Sequence, residues 1–396
     1  MKQTFHEVAS TIRLTAANGV VTSTRQAREG LAVTTWACGR PQIDYRSRWT
    51  GAAEETAAPE VVNQSCARWL TQLERRHPDL MVRILARSRT ITVATEAPAH
   101  EGHEGHGGHD RTSHVSIMLD GRRRGGAAPA LGRSWLVCEA SKVTEEDLEA
   151  VLEQAMRGSA WTADPWPWRG TEVGLPVVFA PGVGGTAFHE VVGHGLEAEP
   201  GRPVPVAGTR LATDVITVVD DATRPGLWGT RRIDDEGMSS TAVTLLGDGT
   251  VRGALHVRET SLRSSSARRM DYRSRPLARM SNTYLAPGTD DPAAMLAGSV
   301  VLQCVEGGSA EVRPASESIV MRIRNAQLWR DGAPASRHRH LALHFTSGEL
   351  LYGVEGVGAD LAFKPGRCIK ESQSVPVSHG APTFRLAHAR VTGAGD

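Results

Sequence analysis

The sequence predicts an α+β fold: an N-terminal α/β domain with two helices against a sheet, followed by a β-rich C-terminal domain. Three observations predict it. Glycine-punctuated, β-branched runs recur through the first part of the chain, and two segments there carry apolar residues at helical spacing. From about Pro200 to the end, short strand-like runs alternate with turns.

The composition is that of an ordinary globular protein. The 396 residues are 40% hydrophobic and 22% charged, and the formal net charge is +1. This balance does not favour nucleic acid or an anionic membrane as a partner. The N-terminus lacks the apolar stretch of a signal peptide, and no apolar run is long enough for a membrane helix. We therefore expect a cytoplasmic protein.

A chain of this length has room for two domains. We predict their boundary in "SAWTADPWPWRGTEVG", where Pro165 and Pro167 interrupt regular structure. The N-terminal domain is then 1–165 and the β-rich domain 170–396. The thiols are predicted to be free, because the cysteines are odd in number and scattered: Cys38, Cys66, Cys138, Cys304 and Cys368.

The elements of the N-terminal domain follow from local patterns. The run "IRLTAANGVVTSTRQAREGLAVTTWACG" predicts a meander of strands. A helix is predicted in "APEVVNQSCARWLTQLERRHPDL", where apolar residues recur at helical spacing and Pro78 ends it. Strands are predicted in "VRILARSRTITVAT" and "HVSIMLDG". A second helix follows Thr144, which forms a capping-box pattern with Asp147, and it ends at Gly158.

Between the last two strands, residues 98–114 are rich in histidine and glycine. Such a tract can bind transition metals loosely, but glycine-rich polar sequence cannot bury a core. We predict a flexible loop, with the histidines at its surface: His100, His103, His106, His109 and His114.

The segment "FHEVVGHGLEAE" carries the most specific chemical signal. His189 and His194 are five residues apart, one more than in a zinc-peptidase helix, so on a regular helix they would diverge by about 140°. Either a π-helical turn or an end of the helix before His194 would bring them together, and Gly193 makes both easier. The two histidines could supply two of three zinc ligands. Glu190 would be the general base on the metal-activated water.

A third ligand has to come from a remote part of the chain. Cys368 is the cysteine with the most suitable surroundings, because it lies in "FKPGRCIKESQ" beside Lys364, Arg367 and Lys370. Nearby cations favour the thiolate that a metal requires. The other cysteines lie in apolar strand-like or helical runs, where buried and inert thiols are expected.

The segment "GVGGTAFHEVVGHGLEAE" resembles the H-E-x-x-x-H region of the TldD/PmbA family of bacterial metallopeptidases. Further segments resemble that family in the same order: "VVDDATRPGLWGTRRIDDEG", "LARMSNTYLAPG" and "CIKESQSVPVSHGAPTFRL". The resemblance implies a TldD/PmbA-like fold and a TldD-like, metal-bearing subunit. It implies one Zn²⁺, or another divalent transition metal, with Glu190 as catalytic acid/base and with His189, His194 and Cys368 as ligands. It also implies a TldE/PmbA-like paralogous partner, with a homodimer as the alternative.

These features predict a zinc-dependent hydrolase of peptide or amide bonds in short or unfolded peptides. Two alternatives stay open: a specialised hydrolase that trims an amino-acid or peptide adduct in natural-product biosynthesis, and a noncatalytic binding subunit with a structural metal. The chain departs from the family pattern C-G-K-x-G-Q, since Cys368 is followed by Ile-Lys-Glu-Ser-Gln. Side chains at Ile369 and Ser372 are expected to narrow the path of a substrate.

Other polar residues near these motifs are weaker candidates. Asn282, Tyr284 and His379 are predicted to bind substrate, because hydrogen-bond donors can hold a peptide backbone or an oxyanion. A group of acidic residues is predicted to be structural and turn-forming, with a second cation site as the alternative: Asp220, Asp221, Asp234, Asp235 and Glu236.

Overall fold

A computed structural model describes most of the C-terminal part of the chain and separate stretches of the N-terminal part. The described residues are 2–17, 20–37, 40–48, 68–73, 75–76, 82–96, 107–119, 137–138, 144–159, 163–168, 170–257, 264–313 and 318–393. Within these stretches, none of the helices combines the length and the apolar character that a bilayer crossing requires.

The N-terminal part contains a six-stranded antiparallel sheet. Its strands are β1 Lys2–Ala17, β2 Val20–Ala37, β3 Arg40–Arg48, β4 Val82–Glu96, β5 Gly107–Leu119 and β6 Val137–Cys138. Their order is β3-β2-β1-β4-β5-β6. Gln3, Phe5 and Glu7 alternate with more exposed residues along β1, so β1 buries one face, as a period of two requires.

Helical segments accompany this sheet. Residues 68–73 and 75–76 are helical, and α1 spans Glu145–Ser159 and lies against β5. The predicted capping box is present, because Asp147 N donates to Thr144 Oγ1 at 3.1 Å and Thr144 N donates to Asp147 Oδ2 at 3.0 Å. The Trp69 indole donates to Glu149 of α1 at 2.9 Å, which links the two helical segments.

The predicted flexible loop at 98–114 is wrong in its second half. Residues 107–114 belong to β5, which pairs with β4 from Ala94↔Gly107 to Val82↔Leu119. Pairing with β4 supplies the backbone hydrogen bonds of this strand, which the local composition does not indicate. Asp110 of this strand is buried. Residues 98–106 of the predicted loop lie outside the described residues.

The C-terminal part is rich in strands, with few helical turns. Its strands are β7 Val173–Phe179, β8 Glu197–Ala198, β9 Val218–Asp221, β10 Ala242–Gly247, β11 Thr250–Val251, β12 Leu255–His256, β13 Ala267–Arg268, β14 Leu277–Ala278, β15 Asn282–Leu285, β16 Val300–Arg313, β17 Ser318–Arg330, β18 Ala333–Thr346, β19 Val354–Val357, β20 Ala362–Lys370, β21 Gln373–Ala381 and β22 Phe384–Gly393. The helical segments are α2 Gly185–Phe188, a π-helix His189–Gly193, a 3₁₀ turn Ala294–Leu296 and α3 Ser347–Gly353. The domain boundary predicted at 165–170 stays a prediction.

These strands form two large sheets, in the orders β11-β10-β9-β15-β21-β20 and β18-β17-β16-β7-β22-β19. Because β18 also pairs with β22, the strands β7, β16, β17, β18 and β22 close into a ring. The fully buried rings of Phe179, Phe188 and Phe384 pack together where α2 begins, with centroids 4.6 and 5.4 Å apart. This packing holds the helical segment against β7 and β22.

Charged groups bind the N-terminal sheet to the C-terminal part. Arg89 of β4 donates to Glu7 Oε1 at 2.8 Å and pairs with Asp235 Oδ1 at 3.2 Å. Glu7 is fully buried, and its other oxygen accepts the N–H of Tyr272 at 3.0 Å. Burial lowers the pKa of Arg89, but the charges of Asp235 and Glu7 raise it overall, so this arginine stays charged in the interface.

Candidate metal centre

A loop rich in glycine leads from β7 into the helical segment that carries the histidines. A Cβ on Gly185 would lie 2.7 Å from the backbone of Gly380 in β21, so only glycine allows this close approach. The five residues His189–Gly193 form a π-helix, and the N–H of His194 donates to the carbonyl of His189. Since a π-helical turn joins residue i to i+5, the two histidines lie one turn apart on one face. Of the two distortions that the spacing allowed, this is the one found.

Gly193 matters for space rather than for an unusual backbone angle. It is absent from the glycines with positive φ, and a Cβ at this position would lie 1.8 Å from Sδ of Met280. Met280 is fully buried. The π-helix therefore packs directly on the Met280 side chain.

We expect Gly193→Ala to disturb the site strongly, because the added methyl group collides with Met280. Overpacking of this kind costs roughly 1–3 kcal/mol of the free energy of unfolding, and we expect bound metal to fall at least about tenfold. Gly195→Ala is the matched control, since no atom of the described residues lies within 4 Å of a Cβ there. Metal content and denaturant unfolding of both variants check this. Equal metal content in the two variants would contradict it.

The structure brings Cys368 to the two histidines. Cys368 lies on β20, the edge strand of its sheet, and its Sγ is 3.3 Å from His194 Nε2. Ligand atoms of His189, His194 and Cys368 all lie within 4.8 Å of one another. His189 and Cys368 are 1% and 2% exposed, and the side chain of His194 is 21% exposed.

This cluster fits a transition metal by its donors. Imidazole nitrogen and thiolate sulfur are both donors that zinc binds, and three protein ligands leave a position for water or substrate, as in catalytic zinc sites. His189 Nδ1 is buried, and no described residue forms a hydrogen bond with it. An unpartnered buried nitrogen is costly unless something else binds it.

The electrostatics of the two histidines differ. Burial lowers the pKa of His189 well below its usual value, and nearby His379, His194 and Arg279 lower it further. His189 is therefore neutral, which is the form that binds a metal. Burial also disfavours charge on His194, but hydrogen bonds to Cys368 and Glu197 raise its pKa to about 10. A metal has to displace the proton from this imidazole.

Behind His194 lies a pair of charged residues. His194 Nδ1 is 2.8 Å from Glu197 Oε2, and the Lys370 ammonium donates to the same oxygen at 2.8 Å. Lys370 also pairs with Glu199 at 3.0 Å. Burial raises the pKa of Glu197, but hydrogen bonds and the charges of His194 and Lys370 lower it overall, so Glu197 is a carboxylate. Such a carboxylate fixes the ring orientation and leaves Nε2 for the metal.

We expect Glu197→Gln to weaken metal binding about 10- to 100-fold, because the ring of His194 loses its charged partner. Glu199→Gln is the matched control, because Glu199 pairs with the same Lys370 that contacts Glu197. Titration of each variant against a competing chelator measures the affinity. An equal loss in both variants would assign the effect to Lys370 instead.

Glu190 lies beside this cluster. Its Oε2 is 3.9 Å from His194 Nε2, and its side chain is 22% exposed. Burial raises the pKa of Glu190; His194 opposes this rise and Glu197 adds to it. A carboxylate with a raised pKa next to a metal position is suited to accept and return a proton.

The predicted substrate-binding residues have different surroundings. The Asn282 amide is fully buried and used within the protein, where it donates to Asp221 O at 2.7 Å and accepts the N–H of Gly229 at 2.9 Å. Tyr284 is half-buried and stacks edge-on with Phe363. His379 lies edge-on to His189, with ring centroids 4.3 Å apart. Of the three, His379 is the one that contacts a candidate metal ligand, His189.

The acidic residues have the structural roles that were favoured for them. Asp234 accepts three backbone N–H bonds, from Glu236, Met238 and Ala267. Asp220 accepts from Ser281 and Thr283, and Asp221 accepts the N–H of Thr223. These contacts hold turns and neighbouring strands in place.

The two positions where the family pattern has glycine differ in their surroundings. Ile369 is 70% exposed on β20, next to Cys368. Ser372 has φ 61° and Glu371 has φ 47°, both in the left-handed region that glycine favours. The turn between β20 and β21 therefore keeps a glycine-type conformation without a glycine.

Sequence reasoning missed the groups that support the ligands. Lys370 was considered only as a neighbour of Cys368, and Glu197 and Met280 were not singled out. Glu197 could have been found, because it follows His194 by three residues and ligating histidines usually bind a carboxylate. The contact between Gly193 and Met280 has no local signal, because it joins remote segments.

Comparison with known proteins identifies the family of the C-terminal part. Residues 172–393, more than half of the chain, match the family model described as the PmbA/TldA metallopeptidase C-terminal domain. The chain belongs to the TldD/PmbA family. The family resemblance noted in the motifs is thereby confirmed.

Two curated relatives of this TldD/PmbA chain are named as metalloproteases. A metalloprotease of Methanothermobacter thermautotrophicus is 31% identical over 231 residues, which are 55% of this chain and 50% of the relative. A metalloprotease TldD homolog of Haemophilus influenzae is 28% identical over 306 residues, 70% of this chain and 61% of the relative. The chain thus spans about half to three fifths of the length of these relatives.

A solved structure shares the fold of this family member. The TldE structure from Thermococcus kodakarensis has a TM-score of 0.70 and 12% identity, and the match covers 99% of this chain and 96% of that one. At this identity the likeness shows the fold alone.

Proposed function

We propose that the protein is a zinc-dependent peptidase that hydrolyses peptide or amide bonds in short or unfolded peptides. The proposal depends on one observation: the side chains of His189, His194 and Cys368 lie close together, and Glu190 lies beside them. Named metalloproteases among the relatives support the same reaction class. The described residues supply three candidate ligands. A zinc ion with three protein ligands keeps a fourth coordination position for water or substrate.

In this mechanism, His189, His194 and Cys368 would hold the ion. When bound, the ion polarises the scissile carbonyl and makes water more acidic. Glu190 accepts a proton from the attacking water and returns it to the leaving amine. Glu197 keeps the His194 ring oriented through its contact with Nδ1, and Lys370 holds Glu197 in place.

The proposal extends to assembly and location. The TldE-like fold supports pairing with a paralogous subunit, and a homodimer is the other arrangement. We place the pair in the cytoplasm, where the thiol of Cys368 stays reduced. We also propose that residues 170–396 carry the catalytic machinery and that residues 1–165 form the second domain.

The experiment that tests the function measures metal content and peptide hydrolysis together. The protein is purified alone and with a co-expressed paralogue, its metals are quantified by mass spectrometry, and it is offered short peptides and unfolded casein, each with and without a chelator. We expect about one zinc per chain and chelator-sensitive hydrolysis. Metal without hydrolysis of any peptide, in either preparation, would favour a binding subunit and contradict the proposal. If a small amino-acid conjugate, offered beside the peptides, is the one substrate that is hydrolysed, the adduct-trimming alternative is identified.

A further inference from the structure

A cavity of about 60 Å³ lies between the N-terminal sheet and the C-terminal part. Its volume exceeds several times the roughly 10–15 Å³ that a single water molecule needs. The N-terminal sheet contributes Arg89 and Thr112, and the wall opposite includes Arg231, Arg268 and Arg269. Several of the lining residues are half-buried or exposed, among them Arg89, Met270 and Pro376.

Three of these arginines are buried and form no close ion pair with another described residue. Arg231, Arg268 and Arg269 are 8%, 6% and 1% exposed. Their guanidinium groups donate to neutral oxygens: Arg231 to Ser265 O, Arg268 to Met280 O and Arg269 to Asp235 O. In the described part of the chain, no ion pair includes any of the three. Asp235 attracts Arg268, and Asp235 and Glu236 attract Arg269, at longer range than an ion pair. Buried cations without a close counter-charge are costly.

Several of their nitrogen donors also lack acceptors. Nε of Arg231, and Nε and Nη1 of Arg269, are buried and have no hydrogen-bond partner among the residues that the structure describes. The Arg269 guanidinium lies over the Phe5 ring at 4.1 Å, which offsets part of its cost. Arg268 makes its one hydrogen bond through Nη1, so its remaining nitrogens have no acceptor among the described residues.

The carboxylates near this cavity are occupied by other groups. Asp235 pairs with Arg89 and accepts the N–H of Arg269, and Asp110 pairs with Arg232. Asp220 and Asp234 attract Arg231 at longer range, but their oxygens accept backbone and hydroxyl donors. Among the described residues, these carboxylates attract the arginines by charge but leave Nε of Arg231, and Nε and Nη1 of Arg269, without an acceptor.

The cavity also lies close to the three candidate metal ligands. Val375 lines it and pairs directly with Cys368 in the β20–β21 ladder, so both side chains point to the same face. Partners in such a ladder are about 5 Å apart. Arg268 donates at 2.7 Å to the carbonyl of Met280, whose side chain packs on Gly193 between the two histidines.

We propose that this cavity binds a carboxylate of the substrate, with Arg268 as its main donor and Arg231 and Arg269 supplying charge. This inference rests on the proposed peptidase function, because it names the class of peptide. The carboxylate belongs to an acidic side chain or to a peptide C-terminus, about one or two residues from the bond that is cleaved. A carboxylate accepts two parallel bonds from a guanidinium group and supplies the missing counter-charge.

The test measures binding of three small probes by calorimetry to metal-loaded protein. N-acetyl-aspartic acid α-amide carries a side-chain carboxylate, N-acetyl-alanine carries a C-terminal carboxylate, and N-acetyl-asparagine amide carries neither. We expect at least one acid to bind about tenfold more tightly than the neutral amide, as loss of a charged hydrogen bond predicts. Whichever acid binds identifies the source of the carboxylate.

Variants separate the cavity from the metal, which can also bind carboxylates. Arg268→Gln should abolish the preference for an acid with metal content unchanged, and Arg268→Lys should keep part of it. Thr112→Asp places a carboxylate on the cavity wall and should block the probes without removing an arginine. A preference that survives in Arg268→Gln and Thr112→Asp would place the carboxylate on the metal and overturn the inference, as would equal binding of all three probes.

The same measurements keep the two proposals distinct. An acid preference that depends on Arg268, in a protein that hydrolyses nothing, would uphold the cavity and contradict the peptidase. Peptide hydrolysis without any acid preference would do the reverse.

Discussion

Replacement of Glu190 by Gln is expected to lower kcat about 10²- to 10⁴-fold, the range typical for loss of a general base, while metal stays bound. Gln keeps the size of the side chain, but its amide cannot accept the proton from water at neutral pH. Because Glu190 does not supply one of the three candidate ligand atoms, the metal content of Glu190→Gln should match that of the wild-type protein. Metal analysis and peptide kinetics on the same preparation measure both effects.

The pH dependence gives this prediction a second measurement. Burial raises the pKa of Glu190 from 4.5, so the acid limb of kcat/KM should lie above that of an ordinary glutamate. Activity falls as the pH falls through this value, because the base becomes protonated. Glu355→Gln is the control, since Glu355 is 52% exposed in a surface ion pair with Arg385. Wild-type activity in Glu190→Gln would remove Glu190 from the mechanism.

Replacement of Cys368 by Ala should remove most of the bound metal. Loss of a supporting residue costs about 10- to 100-fold in metal affinity, so loss of a direct ligand is expected to cost more. Activity should fall in parallel, because His189 and His194 alone offer only two donors. Metal content by mass spectrometry after dialysis, together with a chelator titration, measures the effect.

Cys304→Ala is the matched control for this variant. Cys304 is a buried free cysteine like Cys368, but it lies on β16 and is absent from the ligand cluster. Burial raises the pKa of the Cys304 thiol, so it stays protonated and unsuited to a metal. The control should lose some stability and keep its metal. If both variants keep metal equally, Cys368 is not a ligand.

Much of the site was predictable from the sequence because its signals are local. The spacing of His189 and His194 required a distortion, and a π-helix was one of two that could supply it. The surroundings of Cys368 distinguished it from cysteines in apolar runs, although the structure shows that Lys370 acts through Glu197. The Lys370–Glu197 contact joins residues 173 positions apart, and no local pattern encodes such a pair.

Some features of the fold likewise depend on neighbouring residues, and others depend on contacts between remote segments. The capping box of Thr144 and Asp147 depends on neighbours and was predicted correctly. The strand at 107–114 depends on pairing with β4, and the ring of strands depends on β18 meeting β22. The buried arginines also had no sequence signal, since Arg268 and Arg269 resemble surface residues until the sheets enclose them.

The π-helix and the β20 edge strand are far apart along the chain, although they meet at the candidate metal ligands. His194 and Cys368 are separated by 174 positions. An ion held by both therefore acts as a cross-link, and the chain-entropy relation used for disulfides gives about 5 kcal/mol for a loop of that length. Because this link forms only when the ion binds, the melting temperature should rise with the concentration of free metal. Availability of the ion would then govern the lifetime of the protein as well as its activity.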